Sequence, residues 1–153
     1  MTELSPLIAE ALQNGRDVIF TITGSSMLPM LYHRRDKVCL VSPQEKKPLK
    51  KYDIPLFVRQ DGRYILHRIV AVKAEGYVIR GDNQWDKEYP VLHSQIIGVV
   101  KGFWRAGKYI GCDNFWYLVY CQLWLFYYPA RRIYSKLKQL KVRARLFVGR
   151  YKR

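Results

Sequence analysis

The chain has 153 residues, 49% of them hydrophobic and 14% aromatic, enough apolar surface to bury a core and too much for a disordered segment. Its formal charge of +15 is uneven: ten of the 27 lysines and arginines lie between Pro129 and Arg153, a stretch with no acidic residue. The three cysteines, Cys39, Cys112 and Cys121, form no C-x-x-C pair and have no histidine at metal-ligand spacing, which argues against a zinc site and a disulfide framework. No metal or organic cofactor is expected.

In chain order, Ser5 and Pro6 read as an N-cap and first helical position. Leu7, Ala11 and Leu12 give a short apolar stripe and Gly15 a natural stop. Glu3, Glu10, Asn14, Arg16 and Asp17 interrupt any apolar run here, so neither a secretory leader nor a spanning helix is expected, and the expected location is cytoplasmic or peripheral at a membrane.

Six strand-like runs follow: Val18 to Ile22, Lys37 to Val41, Ile54 to Arg59, Tyr64 to Val72, Tyr77 to Arg80 and Ile96 to Trp104. They are rich in Val, Ile, Tyr and Phe and are separated by Asp-Gly, Glu-Gly and Pro-containing turns. Many short strands without long helices between them predict a mainly β domain, a coiled antiparallel sheet or barrel over residues 1–110.

Residues 111–153 read differently. From Phe115 to Tyr128 only Gln122 breaks an aromatic and aliphatic run, shorter than the roughly 20 residues a spanning helix needs. Ile133, Leu137, Leu140, Ala144 and Phe147 then recur at helical spacing among lysines and arginines. That pattern predicts a basic amphipathic helix at an anionic membrane surface, with Trp116 and Trp124 suited to the headgroup zone. The plainer reading is an aromatic segment packed on the β domain and a solvated basic tail. Nucleic-acid binding is the least favoured use of the charge.

Two segments carry chemistry. Gly24-Ser25-Ser26-Met27-Leu28-Pro29 places a serine on a turn after an apolar strand, and Leu66-His67-Arg68-Ile69-Val70 places a histidine inside another. A serine hydroxyl needs a neighbouring base to become a nucleophile, and histidine suits that role near neutral pH. Strand alternation puts Ile65, His67 and Ile69 on one face. His33 and His93 lack such context and read as surface residues. A histidine base is normally oriented by a carboxylate.

With Lys51-Tyr52-Asp53-Ile54-Pro55, Arg80-Gly81-Asp82-Asn83 and Ile96-Ile97-Gly98-Val99-Val100, these segments form boxes in an order that resembles the type I signal peptidase superfamily, which includes LexA-like relatives. The resemblance covers about Thr21 to Gly102. It implies the β fold of that group, a Ser26 nucleophile, and a His67 base where bacterial members usually carry lysine. It implies Asp82 or Asp86 as the orienting acid, with Asp86 favoured although it follows Asp82 one or two residues sooner than the pattern. It implies Asp53 as a structural hydrogen-bonder. It also implies an oxyanion site at the Ser26 N–H, with Gly24 where many members have a serine, so that either Ser25 substitutes or the site relies on backbone groups alone, and Met27 and Leu28 lining a substrate groove. The expected activity is cleavage of leader-like or signal-like peptides. The alternatives are a cytoplasmic leader peptidase for a small secreted peptide, a LexA-like regulator, and a non-catalytic β domain docked on a membrane.

Overall fold

The computed structural model describes residues 5–135 and 137. The chain divides into two units at Leu118/Val119, so the first runs past residue 110 into the start of the last helix. It is mainly β and antiparallel. Helix α1 spans Ser5–Gln13. The strands are β1 (Val18–Thr21), β2 (Lys37–Val41), β3 (Pro55–Val58), β4 (Tyr64–Leu66), β5 (Arg68–Lys73), β6 (Gly76–Arg80), β7 (Glu88–Val91), β8 (Ile96–Arg105) and β9 (Lys108–Gly111). Helix α2 spans Phe115–Phe126.

A curled six-stranded sheet has the order β1-β2-β8-β3-β4, with β9 also on β8. β8 is its spine: one edge pairs with β2, and the other with β3 at Ile96–Val99 and β9 at Gly102–Arg105. Register shifts at Cys39/Leu40 and Leu56/Phe57 interrupt the ladders on either side of β8, and such irregularities bend and twist a sheet. β5, β6 and β7 form a second, three-stranded sheet. Phe57, Ile96 and Val99 of the first sheet and Ile69, Ile79 and Val91 of the second bury together in one apolar cluster. Gly98 leaves space over β8 for Leu12 of α1, whose Cδ1 lies 2.6 Å from where a Cβ would stand.

The expected single strand Tyr64 to Val72 is two strands broken at His67, where the chain leaves one sheet for the other. The join stays tied down, because His67 N–H donates to the Pro55 carbonyl and Ile69 N–H to that of Asp53. Strands β7 and β9 were not expected. Pro90 within β7 and the short span of β9 weaken their pattern in the sequence.

Beside that break lies a buried ion pair. Arg68, wholly buried, donates to both carboxylate oxygens of Asp82 at 2.8 and 2.7 Å. It also donates to the Tyr52 carbonyl and the Tyr117 hydroxyl.

The start of α2 is capped by Asn114, whose Oδ1 accepts from the N–H groups of Trp116 and Tyr117. In the second unit helical bonding continues past α2: Tyr127 N–H donates to the Leu123 carbonyl, and Arg131 N–H to that of Tyr127. Among the described residues no helix is long and apolar enough to cross a membrane. The expected helical positions Leu140, Ala144 and Phe147 lie outside the described residues.

Removing one member of a buried ion pair strands the other charge. Asp82→Ala is therefore expected to lower stability by about 3–5 kcal/mol, read by urea unfolding. A loss under about 1 kcal/mol would show that the pair is dispensable.

Candidate active site

Ser26 stands on a turn tied at several points. Gly24, at φ +94°, donates its N–H to His33 Nδ1 at 2.9 Å. Leu28 N–H donates to the Ser25 carbonyl and Leu31 N–H to that of Met27. Beneath the turn, buried Asp36 accepts from Tyr32 N–H at 3.0 Å and from Arg35 Nε at 2.7 Å. Burial alone would raise the Asp36 pKa, but the bonds from Arg35 and Tyr32 outweigh it and hold it below the usual carboxylate range. His33 is thus exposed, as its sequence context suggests, yet it anchors the serine turn.

The Arg80–Asn83 segment clamps this turn against His67. Asn83 donates from its backbone N–H to the Ser26 carbonyl at 2.8 Å and from its side chain to the Ser25 carbonyl at 3.3 Å. Gly81 lies between serine and histidine. A Cβ there would stand 2.7 Å from the Ser26 carbonyl oxygen and 3.0 Å from His67 Nε2. Only glycine leaves that approach open.

Ser26 and His67 line one cavity of about 300 Å³ with Phe20, Met27, Leu56 and Gln84. The serine is half-buried and the imidazole is buried. No hydrogen bond links Ser26 Oγ to His67 among the described residues. Such contacts are often long without substrate and shorten when it binds. The Ser26 N–H has no intramolecular acceptor among the described residues, which leaves it available to an incoming oxygen.

The carboxylate on His67 belongs to neither expected aspartate. Glu88, at the start of β7, lies 3.2 Å from His67 Nδ1 through Oε1. Asp82 is committed to Arg68, and Asp86 is exposed in the loop before β7. Glu88 follows Asp86 by two residues, the direction in which the family spacing pointed. That offset was the available signal. Arg59 donates to both oxygens of Glu88, at 2.6 and 2.7 Å, and fixes its orientation.

Of the other expected residues, Ser25 is exposed and engaged through its carbonyl, while Met27 is buried and lines the cavity. Asp53 accepts from Lys50 N–H at 2.9 Å and pairs with Lys46, a structural role. Comparison with models of known protein families gives no match, and neither does comparison with curated proteins.

Burial pushes the His67 pKa below its ordinary value of 6.5, against the opposing pull of Glu88. The imidazole is therefore neutral at neutral pH, the form a base requires. Burial acts on Glu88 in the opposite sense, but Arg59 and His67 outweigh it and keep the carboxyl below its usual value.

An NMR titration of His67 should give a midpoint below 6.5, and Glu88→Gln should move it lower still, because a charge that favours imidazolium is gone. A rise on that substitution would refute the pairing. The unfolded chain binds more protons on His67 between the folded midpoint and 6.5, so this residue's stabilising share is complete above that window and is lost as pH falls through it.

Gly81→Ala should leave the fold intact but displace the serine turn from His67. Any turnover should fall by about 10²-fold, the scale expected for an ångström of misplacement. Unchanged turnover would show that the approach at Gly81 is not needed.

Proposed function

We propose that the chain is a serine endopeptidase of the signal-peptidase kind that acts through a Ser-His mechanism. The observation that carries the reading is the shared cavity of Ser26 and buried His67, with Glu88 on the far nitrogen of the imidazole. The ordered sequence boxes around Ser26, His67 and Asp82 support it independently.

In this reaction the Ser26 hydroxyl attacks the scissile carbonyl as His67 Nε2 takes its proton. Glu88, held by Arg59, keeps Nδ1 protonated and stabilises the imidazolium that forms. The Ser26 N–H faces the developing oxyanion. His67 returns the proton to the leaving amine, whose departure leaves an acyl-enzyme on Ser26. Water, deprotonated by the same imidazole, then releases the acid.

The substrate is an extended peptide. The six-stranded sheet ends at β1 on one side and β4 on the other. Residues of both edge strands, Phe20 of β1 and Tyr64, Ile65 and Leu66 of β4, line the cavity. A peptide strand laid between them would find backbone partners on either flank, the usual way a sheet edge reads an extended chain. Leader-like peptides with small residues before the cut suit a groove that Met27 and Leu56 narrow.

A peptide library rich in small residues, read by mass spectrometry, tests the proposal. Wild type should cleave at defined sites, and Ser26→Ala or His67→Ala should each reduce the rate by at least about 10³-fold. Equal cleavage by all three proteins would sink the mechanism.

A further inference from the structure

The second unit carries an apolar surface that the peptide chemistry does not use. Leu123, Phe126, Tyr127, Ile133, Tyr134 and Leu137 are each more than half exposed, Phe126 at 77%. At 3.6 residues per turn they fall in one stripe, while the buried Cys121 and Tyr128 fall on the opposite face. Helical hydrogen bonds from Tyr127 to Leu123 and from Arg131 to Tyr127 keep the stripe in register across the bend at residue 127. The half-buried Arg131, stacked 3.7 Å over the Trp124 ring, places a cation at the edge of the stripe, while exposed Arg132 falls on the opposite face. The sequence from Asn114 to Arg153 contains no Asp or Glu and ten Lys or Arg.

We propose that this stripe docks the protein in the plane of an anionic lipid bilayer. Such a surface needs two things from its partner: hydrocarbon to cover six large side chains, and negative charge to meet a segment that carries ten lysines and arginines. The interface of an anionic bilayer supplies both. A second copy of the chain supplies the first only and would set two strongly basic segments against each other. Nucleic acid supplies the second only, since phosphates are met by cations and the centre of this stripe has none.

Flotation of the full chain with vesicles tests the proposal, and no arm of it depends on peptide cleavage. Vesicles of phosphatidylcholine mixed with phosphatidylglycerol should bind about tenfold or more tightly than phosphatidylcholine alone, and added salt should weaken the difference. Trp fluorescence should shift to the blue on binding. Phe126→Ser with Leu137→Ser, and separately Ile133→Ser with Tyr134→Ser, should keep the circular dichroism spectrum and weaken binding by about tenfold or more. The proposal fails if folded wild type binds neither vesicle or both equally, or if both double variants bind as wild type does. It also fails if lipid-free sedimentation shows a dimer that these variants dissolve, or if duplex DNA is bound more tightly than the anionic vesicles.

Discussion

The candidate site depends on the buried bond between Arg68 and Asp82. Two charges taken out of water cost several kcal/mol each unless geometry and further hydrogen bonds restore what hydration gave. Here the guanidinium meets both carboxylate oxygens and also finds the Tyr52 carbonyl and the Tyr117 hydroxyl. The consequence lies in the neighbours. Arg68 follows His67, and Asp82 sits between Gly81 and Asn83. One ion pair therefore ties the segment that presents the imidazole to the turn whose Asn83 N–H holds the Ser26 carbonyl. A hydrophobic pair of similar volume would offer no directional hydrogen bonds between those two segments.

Glu88 shows how competing influences set the charge state of His67. Burial favours neutral imidazole, the Glu88 carboxylate favours imidazolium, and burial prevails in the resting protein. Arg59 acts on both groups. By occupying both Glu88 oxygens it keeps the carboxylate ionised and aimed, and it also opposes a positive charge on His67 directly. The resting imidazole is thus a free base with a carboxylate in place for the cation it would become. In the proposed reaction, preorganisation of this kind would cost nothing at the moment of proton transfer.

How much of this was legible in the sequence follows the range of each interaction. Strand β2 lies where its Val-Cys-Leu-Val run predicts, because a strand buried along most of its length announces itself by composition. The segment around His67 reads as one strand because every residue in it suits a strand. The break comes from passing between two sheets, a tertiary event with no local signature. The Gly24–Pro29 turn and the Arg80–Asn83 box are each legible, but the contact between them spans more than fifty positions. Glu88 has no local signature, because it lies outside the Arg80–Asn83 box and only the β6–β7 pairing, with Ile79 opposite Glu88, carries its carboxylate back to the histidine. His33 gave no local sign at all, since its bond to Gly24 depends on how the serine turn closes.

The edges of the six-stranded sheet bear on the proposed chemistry in a further way. An open strand edge is a hazard, because its unpaired N–H and C=O groups recruit other chains, and proteins usually keep such edges short or cover them. β1 and β4 are short, four and three residues, and residues of both face the cavity that holds Ser26 and His67. A substrate strand between them would satisfy both edges while bound and leave them open once cut, so the ladder itself would favour an intact extended peptide over its two shorter products. Affinity for backbone then comes from the sheet and selectivity from the few side chains lining the cleft. Release would follow from the loss of cooperative pairing when one strand becomes two, with no moving lid required.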